Sequence, residues 1–434
     1  MSAGRLRLRA GLVLDAEHVL GAAEVLVENG RITAVQPSGG AAHADERVLG
    51  GDDMVLLPGL VNAHTHLAMS LLRGLGADLP LKDWLEGHIF PVEARMTAED
   101  VRLGTMVGVA EALLSGTTAV VDMYFHADQV AEACLESGIR ASLAVGLAGE
   151  GEVFERRLKE ACDLLTTWRR RGAGRVEVRL GPHAPYTCPP ASLGRVAEAA
   201  SALQAGVHMH LSETRREVEE ALHRYGRSPV ALAAEAGLLE VPLQAAHVVW
   251  PEPGDAALLA GGGAVVGHCP ASNLQLASGI APAVALVDQG VTLALGTDGP
   301  ASAPSLDMFE CMRLAWLVGK GRAENASRPT AREVFGWATL GGARALGRTD
   351  VGRIAPGQRA DLVLARADRP GLWPAPPDPY ALVVQGLRAD DVDTVLVDGE
   401  VLVAGGALVR LDVEALGHRA KARAAGLRSG AGPA

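Results

Sequence analysis

The sequence predicts an α/β protein: a (β/α)8 TIM-like barrel carrying a small discontinuous β-sandwich domain formed by both termini. Three observations lead there. Eight short, β-rich apolar runs alternate with segments of helical character, the pattern of βα units around a parallel sheet. Histidines and carboxylates recur where those runs end, and in a barrel that is the face on which the βα loops converge. Outside this span, at both ends of the chain, the pattern changes to apolar/polar alternation punctuated by turn residues. A length of 434 residues accommodates a barrel of roughly 250 residues and a second, smaller module.

Taken in order, residues 1–57 read as the first part of the sandwich, with turns at ENG (28–30) and PSGG (37–40). The barrel is expected over 58–351. Its eight runs are VLLPGLV (55–61), TAVV (118–121), ASLAVGL (141–147), VEVRL (176–180), VHMHL (207–211), LQAAHVV (243–249), AVVG (264–267) and VTLALG (291–296). Helices are expected between them, at 97–115, 152–170, 190–205 and 215–237. Residues 352–412, containing RIAPGQRADLVL and DTVLVDGEVLVAGG, supply the second part of the sandwich, and antiparallel pairing is expected in both parts. Residues 413–434, rich in Ala, Arg and Gly, read as a short helix and a frayed tail.

Composition narrows the function classes. With 48% hydrophobic and 21% charged residues the chain is globular, and a formal charge of −11 with no dense basic block argues against a nucleic-acid partner. Residues 256–287 carry no Asp, Glu, Lys or Arg, yet GGG, His268, Pro270 and Pro282 break the stretch, so it reads as strand, loop and helix rather than a membrane span. The basic residues near the N-terminus are followed by Asp15 and Glu17 before an export signal takes shape. Five scattered cysteines without a Cys-x-x-Cys pair indicate neither a disulfide framework nor a thiolate metal site, and point to the cytoplasm. A small-molecule partner is expected, and a homo-oligomer is left open.

His64 and His66 lie one residue apart, so on a strand their side chains face the same way and can share one ion. His210 and Asp298, at the ends of the fifth and eighth runs, are the strongest candidates to complete a set of N and O donors around a hydrolytic metal. Taken alone, a His-x-His pair is equally compatible with a structural or surface pair.

At these residues the sequence resembles the amidohydrolase superfamily, and within it the group of 5′-methylthioadenosine/S-adenosylhomocysteine deaminases and chlorohydrolases. The resemblance covers nearly the whole chain. It rests on PGLVNAHTHLAMSLLRG (58–74), DLPLKDWL (78–85), PVEAR (91–95), GTTAVVDMYFH (116–126), GPHAPYTC (181–188), HLSET (210–214), HCPASNLQLASG (268–279), LGTDGPAS (295–302) and GRIAPGQRADLVL (352–364). It implies that His64, His66, His210 and Asp298 hold one Zn2+, with Fe, Mn or Ni compatible with the same donors. No lysine stands in VEVRLGPHAPY to bridge a second ion. It further implies that Glu213 shuttles a proton from water to a ring nitrogen, that His247 stabilises developing charge, and that Asp298 also accepts a proton. For substrate, it assigns Glu93 to ribose hydroxyls, His183 to the base and Trp84 to the pocket wall. The expected substrate is an adenosine-type nucleoside: adenosine, 5′-deoxyadenosine, 5′-methylthioadenosine, S-adenosylhomocysteine or another 5′-modified adenosine. Val145 stands where relatives acting on S-adenosylhomocysteine carry an arginine for its carboxylate, with Arg156 or Arg157 as candidate replacements.

Several of these residues have plainer alternatives. Glu93 can be a solvated helix-start carboxylate and Trp84 ordinary packing. His268 and Cys269 read as structural parts of a strand end, and Asp122 and His126 as orienting or capping groups. His18, His43, His88, His208, His223 and His418 have no motif context. The rival functions are a guanine-type base deaminase or an s-triazine chlorohydrolase or aminohydrolase on the same scaffold, and, more remotely, a catalytically silent binding barrel.

Overall fold

The computed structural model describes residues 5–40 and 46–430; His43 lies outside them. Two eight-stranded sheets organise the chain. The strands are β1 (Arg5–Leu14), β2 (Val19–Glu28), β3 (Arg31–Pro37), β4 (Glu46–Pro58), β5 (Leu60–Thr65), β6 (Thr117–Tyr124), β7 (Arg140–Leu147), β8 (Val176–Pro182), β9 (Val207–Leu211), β10 (Leu243–His247), β11 (Val265–His268), β12 (Thr292–Leu295), β13 (Leu362–Arg366), β14 (Val392–Val397), β15 (Glu400–Ala404) and β16 (Ala407–Leu408).

Strands β5 to β12 lie side by side in sequence order, each parallel to the next, and form the barrel. Every residue of β5 and β6 is buried, as expected for parallel strands covered on both faces. The seam between β12 and β5 is drawn together by side chains: Asn62 Nδ2 donates to Thr297 Oγ1 at 2.7 Å, and Thr297 N donates to Asn62 Oδ1 at 3.0 Å. Asp298 N also donates to the His64 carbonyl at 2.9 Å. A side chain at Gly296 would stand 2.7 Å from His64 N, so the seam requires glycine there.

The remaining strands form one hydrogen-bonded ladder, in the order β16-β15-β14-β13-β4-β1-β2-β3, to which both ends of the chain contribute. Alternation along β13 assigns its two faces. Leu362 and Leu364 join Leu8, Val25 and Leu56 in a core of the sheet's own, while Val363 and Ala365 join Val55 and Leu57 in the large core shared with the barrel.

Four expectations are corrected. The run 55–61 does not form one barrel strand: β4 ends at Pro58 in the outer sheet and β5 begins at Leu60. Between them Gly59 packs so closely that a Cβ would lie 2.0 Å from Thr118 Oγ1. Pairing in the outer sheet is antiparallel throughout except between β1 and β4, which run parallel. The helix expected over 215–237 is two, Arg215–Tyr225 and Pro229–Glu235, because Gly226 adopts a left-handed φ of 65° and Ser228 caps the second. Finally, the C-terminal helix is not short. Val413–Ser429 runs 17 residues, held by Arg423 on Asp100 and by Arg95 Nη2 donating to the Leu427 carbonyl at 2.9 Å.

Candidate active site

The barrel mouth gathers the expected donors. His64 is the fifth residue of β5 and His66 follows its end; His210 lies one residue before the end of β9, and Asp298 three residues past β12. Parity on the strand turns His64 and His66 to the same side. His64 Nε2 lies 3.4 Å and His66 Nε2 3.2 Å from Asp298 Oδ1, and the Nε2 atoms of His66 and His210 are 3.4 Å apart. Ligands about 2.1 Å from a tetrahedral metal stand about 3.4 Å from one another, so these separations fit one ion.

The far sides of the rings agree with that role. His66 Nδ1 meets the Met123 carbonyl at 2.6 Å and His210 Nδ1 the His183 carbonyl at 2.8 Å. A carbonyl only accepts, so each ring carries a proton on Nδ1, the tautomer that leaves Nε2 available to a cation. His64 Nε2 is buried and has no hydrogen-bond partner among the described residues, an orphan that a cation would satisfy. Burial drives the pKa of His210 well below its ordinary value and that of His64 to about 4, which keeps both rings neutral. Asp298 is ionised: burial opposes this, but the His66 ring, whose own pKa Asp298 raises to about 9 against its burial, helps hold it well below the usual carboxylate range.

His247 closes β10 with a left-handed φ of 74°, followed by Val248 at 46°, a conformation a β-branched residue rarely takes. Backbone bonds hold it: Val248 N donates to Leu211 O at 3.0 Å and Val249 N to Ser212 O at 3.0 Å. His247 Nδ1 meets Asn273 Oδ1 at 2.9 Å, and its Nε2 faces Glu213 Oε2 at 3.9 Å. Glu213 also accepts from Ser278 Oγ at 3.2 Å, and burial raises its pKa. The loop carrying Glu213 is pinned by Glu217, which accepts from the backbone N–H groups of Ser212 and Glu213 at 3.1 and 2.7 Å.

The same cavity is lined by His66, His210, Asp298, Glu213, His247, His183, Glu93, Trp84 and Arg157. Trp84 and Glu93 come from one helical stretch, Leu81–Glu93, whose middle turn is a π-helix at Leu85–Ile89. Trp84 Nε1 donates to the Leu75 carbonyl at 2.9 Å. Glu93 is no solvated carboxylate: it accepts from the Tyr124 hydroxyl at 2.6 Å, and burial raises its pKa. His183 Nδ1 lies 3.0 Å from Thr187 Oγ1. Past Glu93 and Arg157 a second hollow continues between Val145, Glu160 and Leu164. Arg156, by contrast, is exposed and lines neither hollow.

The structure also places residues that had other readings. Asp122 accepts from Leu67 N at 2.6 Å and so fixes the chain directly after His66. His126 is exposed ahead of the helix Ala127–Ser137. His268 and Cys269 are buried, and burial pushes the Cys269 thiol well above its ordinary pKa, far from a nucleophilic thiolate. Sequence reasoning missed Tyr124, Asn273, Glu217 and His208. For His208 a signal was present: VHMH repeats the His-x-His spacing of HTH, which turns both rings to the same side of the strand.

Fold and donor set together define a barrel hydrolase organised around a metal-ligand cluster. The chain belongs to the amidohydrolase family, which its residues 55–402 match. It is 45% identical over 399 residues to a 5-methylthioadenosine/S-adenosylhomocysteine deaminase of Moorella thermoacetica, covering 91% of this chain and 93% of that one. Among solved structures it is similar to a zinc-bound adenosine deaminase from Xanthomonas campestris, with a TM-score of 0.92, 36% identity and 98% of each chain covered. It is also similar to the zinc complex of the atrazine chlorohydrolase TrzN from Arthrobacter aurescens, with a TM-score of 0.88, 25% identity, and 96% of this chain and 100% of that one covered.

Proposed function

We propose that the protein hydrolytically deaminates an adenosine-type nucleoside, giving the inosine analogue and ammonia, with one Zn2+ held by His64, His66, His210 and Asp298. The observation that carries this reading is that one cavity is lined both by members of the donor cluster and by Glu93, a half-buried carboxylate suited to accepting from ribose hydroxyls. The relatives named for adenosine-type substrates support it. A zinc ion in such a site makes water ionisable near pH 7.

The chain's own groups supply the rest. Glu213 takes a proton from the attacking water and delivers it to the adjacent ring nitrogen, which makes the amine-bearing carbon electrophilic. His247, with its Nδ1 against Asn273 Oδ1 and its Nε2 turned toward Glu213, is placed to contact the attacking water and stabilise the charge that develops as the C–O bond forms. Asp298 accepts the remaining water proton and passes it to the exocyclic amine, the C–N bond breaks, and the amine leaves as ammonia. His183 and Trp84 border the base, and Glu93 orients the ribose. The second hollow receives the 5′ substituent, where Val145 offers an apolar wall and Arg157 the nearest cation. Cytoplasmic residence belongs to the same proposal and is supported by five cysteines that are all free; no helix among the described residues is long and apolar enough to cross a membrane.

The test is ammonia release from purified, metal-analysed protein offered adenosine, 5′-deoxyadenosine, 5′-methylthioadenosine, S-adenosylhomocysteine, free adenine, guanine and a chloro-s-triazine. Nucleosides are expected to turn over well ahead of the free bases. Faster turnover of guanine, or halide release from the triazine, would instead support the corresponding rival; protein without bound metal would support the silent barrel.

A further inference from the structure

We infer that His208 is a positioning residue that fixes the tautomer and ring orientation of His64, so that the lone pair of His64 Nε2 faces the donor cluster. The inference rests on the metal-site reading above. Three imidazoles contribute to that cluster, and two have their tautomers set by main-chain carbonyls, Met123 for His66 and His183 for His210. His64 has no such carbonyl. Its Nδ1 instead meets His208 Nε2 at 2.9 Å, a contact between two fully buried rings 144 residues apart in sequence.

An imidazole on the far side is a conditional partner, since a ring nitrogen either donates or accepts. His64 can offer a bare Nε2 only if its Nδ1 carries the proton, and then His208 Nε2 must be the acceptor. The rings stand nearly perpendicular, with centroids 4.9 Å apart and planes at 81°, so the contact constrains the His64 ring about its own axis as well as its protonation. Among the described residues His208 Nδ1 has no hydrogen-bond partner, and the side-chain hydrogen bond found for His208 there is the one to His64. Because His208 and His210 are two apart on β9, this strand supplies one ligand directly and, deeper in the barrel, the support of another.

Two variants separate positioning from packing. His208→Phe fills the space and accepts nothing; His208→Gln offers an amide oxygen to His64 Nδ1–H. Zinc affinity is measured by competition with a chromogenic chelator. We expect His208→Phe to bind zinc roughly 10- to 100-fold more weakly than the parent, and His208→Gln to stay within about threefold of it. Parent-like affinity in His208→Phe, or equal weakening in both variants, would overturn the inference. Should either variant fail to fold, 15N NMR of histidine-labelled parent holoprotein decides: His64 protonated on Nδ1 with His208 bare at Nε2 supports it, and a proton on His208 Nε2 overturns it. If the parent itself binds no zinc, the metal-site reading has failed first.

Discussion

Glu213 is 4% exposed, and its carboxyl accepts from Ser278 Oγ and faces His247 and the like charge of Asp298. Burial therefore raises its affinity for a proton, which suits a group that must take one up and hand it on. Glu213→Gln keeps the shape and removes that capacity. Metal content is expected to stay unchanged while turnover falls by a factor on the order of 10² or more, as measured by elemental analysis and ammonia release. Near-parental turnover would remove Glu213 from the proton path. Glu93→Ala is expected to raise KM for adenosine far more than for free adenine; an equal effect on both substrates would contradict its assignment to ribose. The positions of the four proposed donors and of Glu213 were legible in the sequence from strand parity and strand-end placement, which are local properties, together with the family resemblance that gave Glu213 its expected role. Tyr124 and Asn273 were not, because what gives them meaning is a partner 31 or 26 residues away.

Elements place these side chains, and some do so through conformations that no residue type announces. His247 and Val248 take left-handed backbone angles without glycine, held by bonds to Leu211 and Ser212. The eight barrel strands were readable from their apolar runs, but the change of sheet at Gly59 was not, since the end of β4 (residues 54–58) and the start of β5 form one apolar run and only their partners differ. At the other end of the barrel domain, Asp350 is gripped by Arg348 and Arg359. Burial works against its charge, but the two guanidiniums bring its pKa down to about 2 from an ordinary 3.8. The folded pKa lies below the unfolded one, so this stabilisation is complete above about pH 4 and fades as the pH falls toward 2. Urea unfolding of the parent and Asp350→Asn is expected to differ most at pH 5 and above, with the gap narrowing at pH 3. A gap independent of pH would show that the ion pairs contribute nothing.

At the scale of the molecule, a buried ionic cluster locks the outer sheet to the base of the barrel. Arg140, the first residue of β7, binds Asp361 in bidentate fashion at 2.7 and 3.0 Å and reaches Asp398 at 2.7 Å. Asp398 is shared with Arg175 and Arg359. The motif GQRADLVL thereby acquires a physical reading: Arg359 and Asp361 are the clasp, and the Asp361 carbonyl also accepts from Gly59 N at 2.8 Å. Asp361→Ala leaves a buried guanidinium short of its partner, and is expected to cost about 3–5 kcal/mol in denaturant unfolding while turnover per folded molecule stays near the parent value, since the cluster lies at the end of the barrel away from the site. A loss under about 1 kcal/mol would mean that Asp398 alone suffices.

The outer ladder joins strands from the beginning and the end of the polypeptide, and β4 has β1 on one edge and β13 on the other. During synthesis, then, one edge of β4 and the leucines beside it wait for some three hundred residues to emerge before their mates arrive. Nascent chains stalled before residue 362 are expected to remain open to protease near residues 46–58, and released full-length chains to be shielded there.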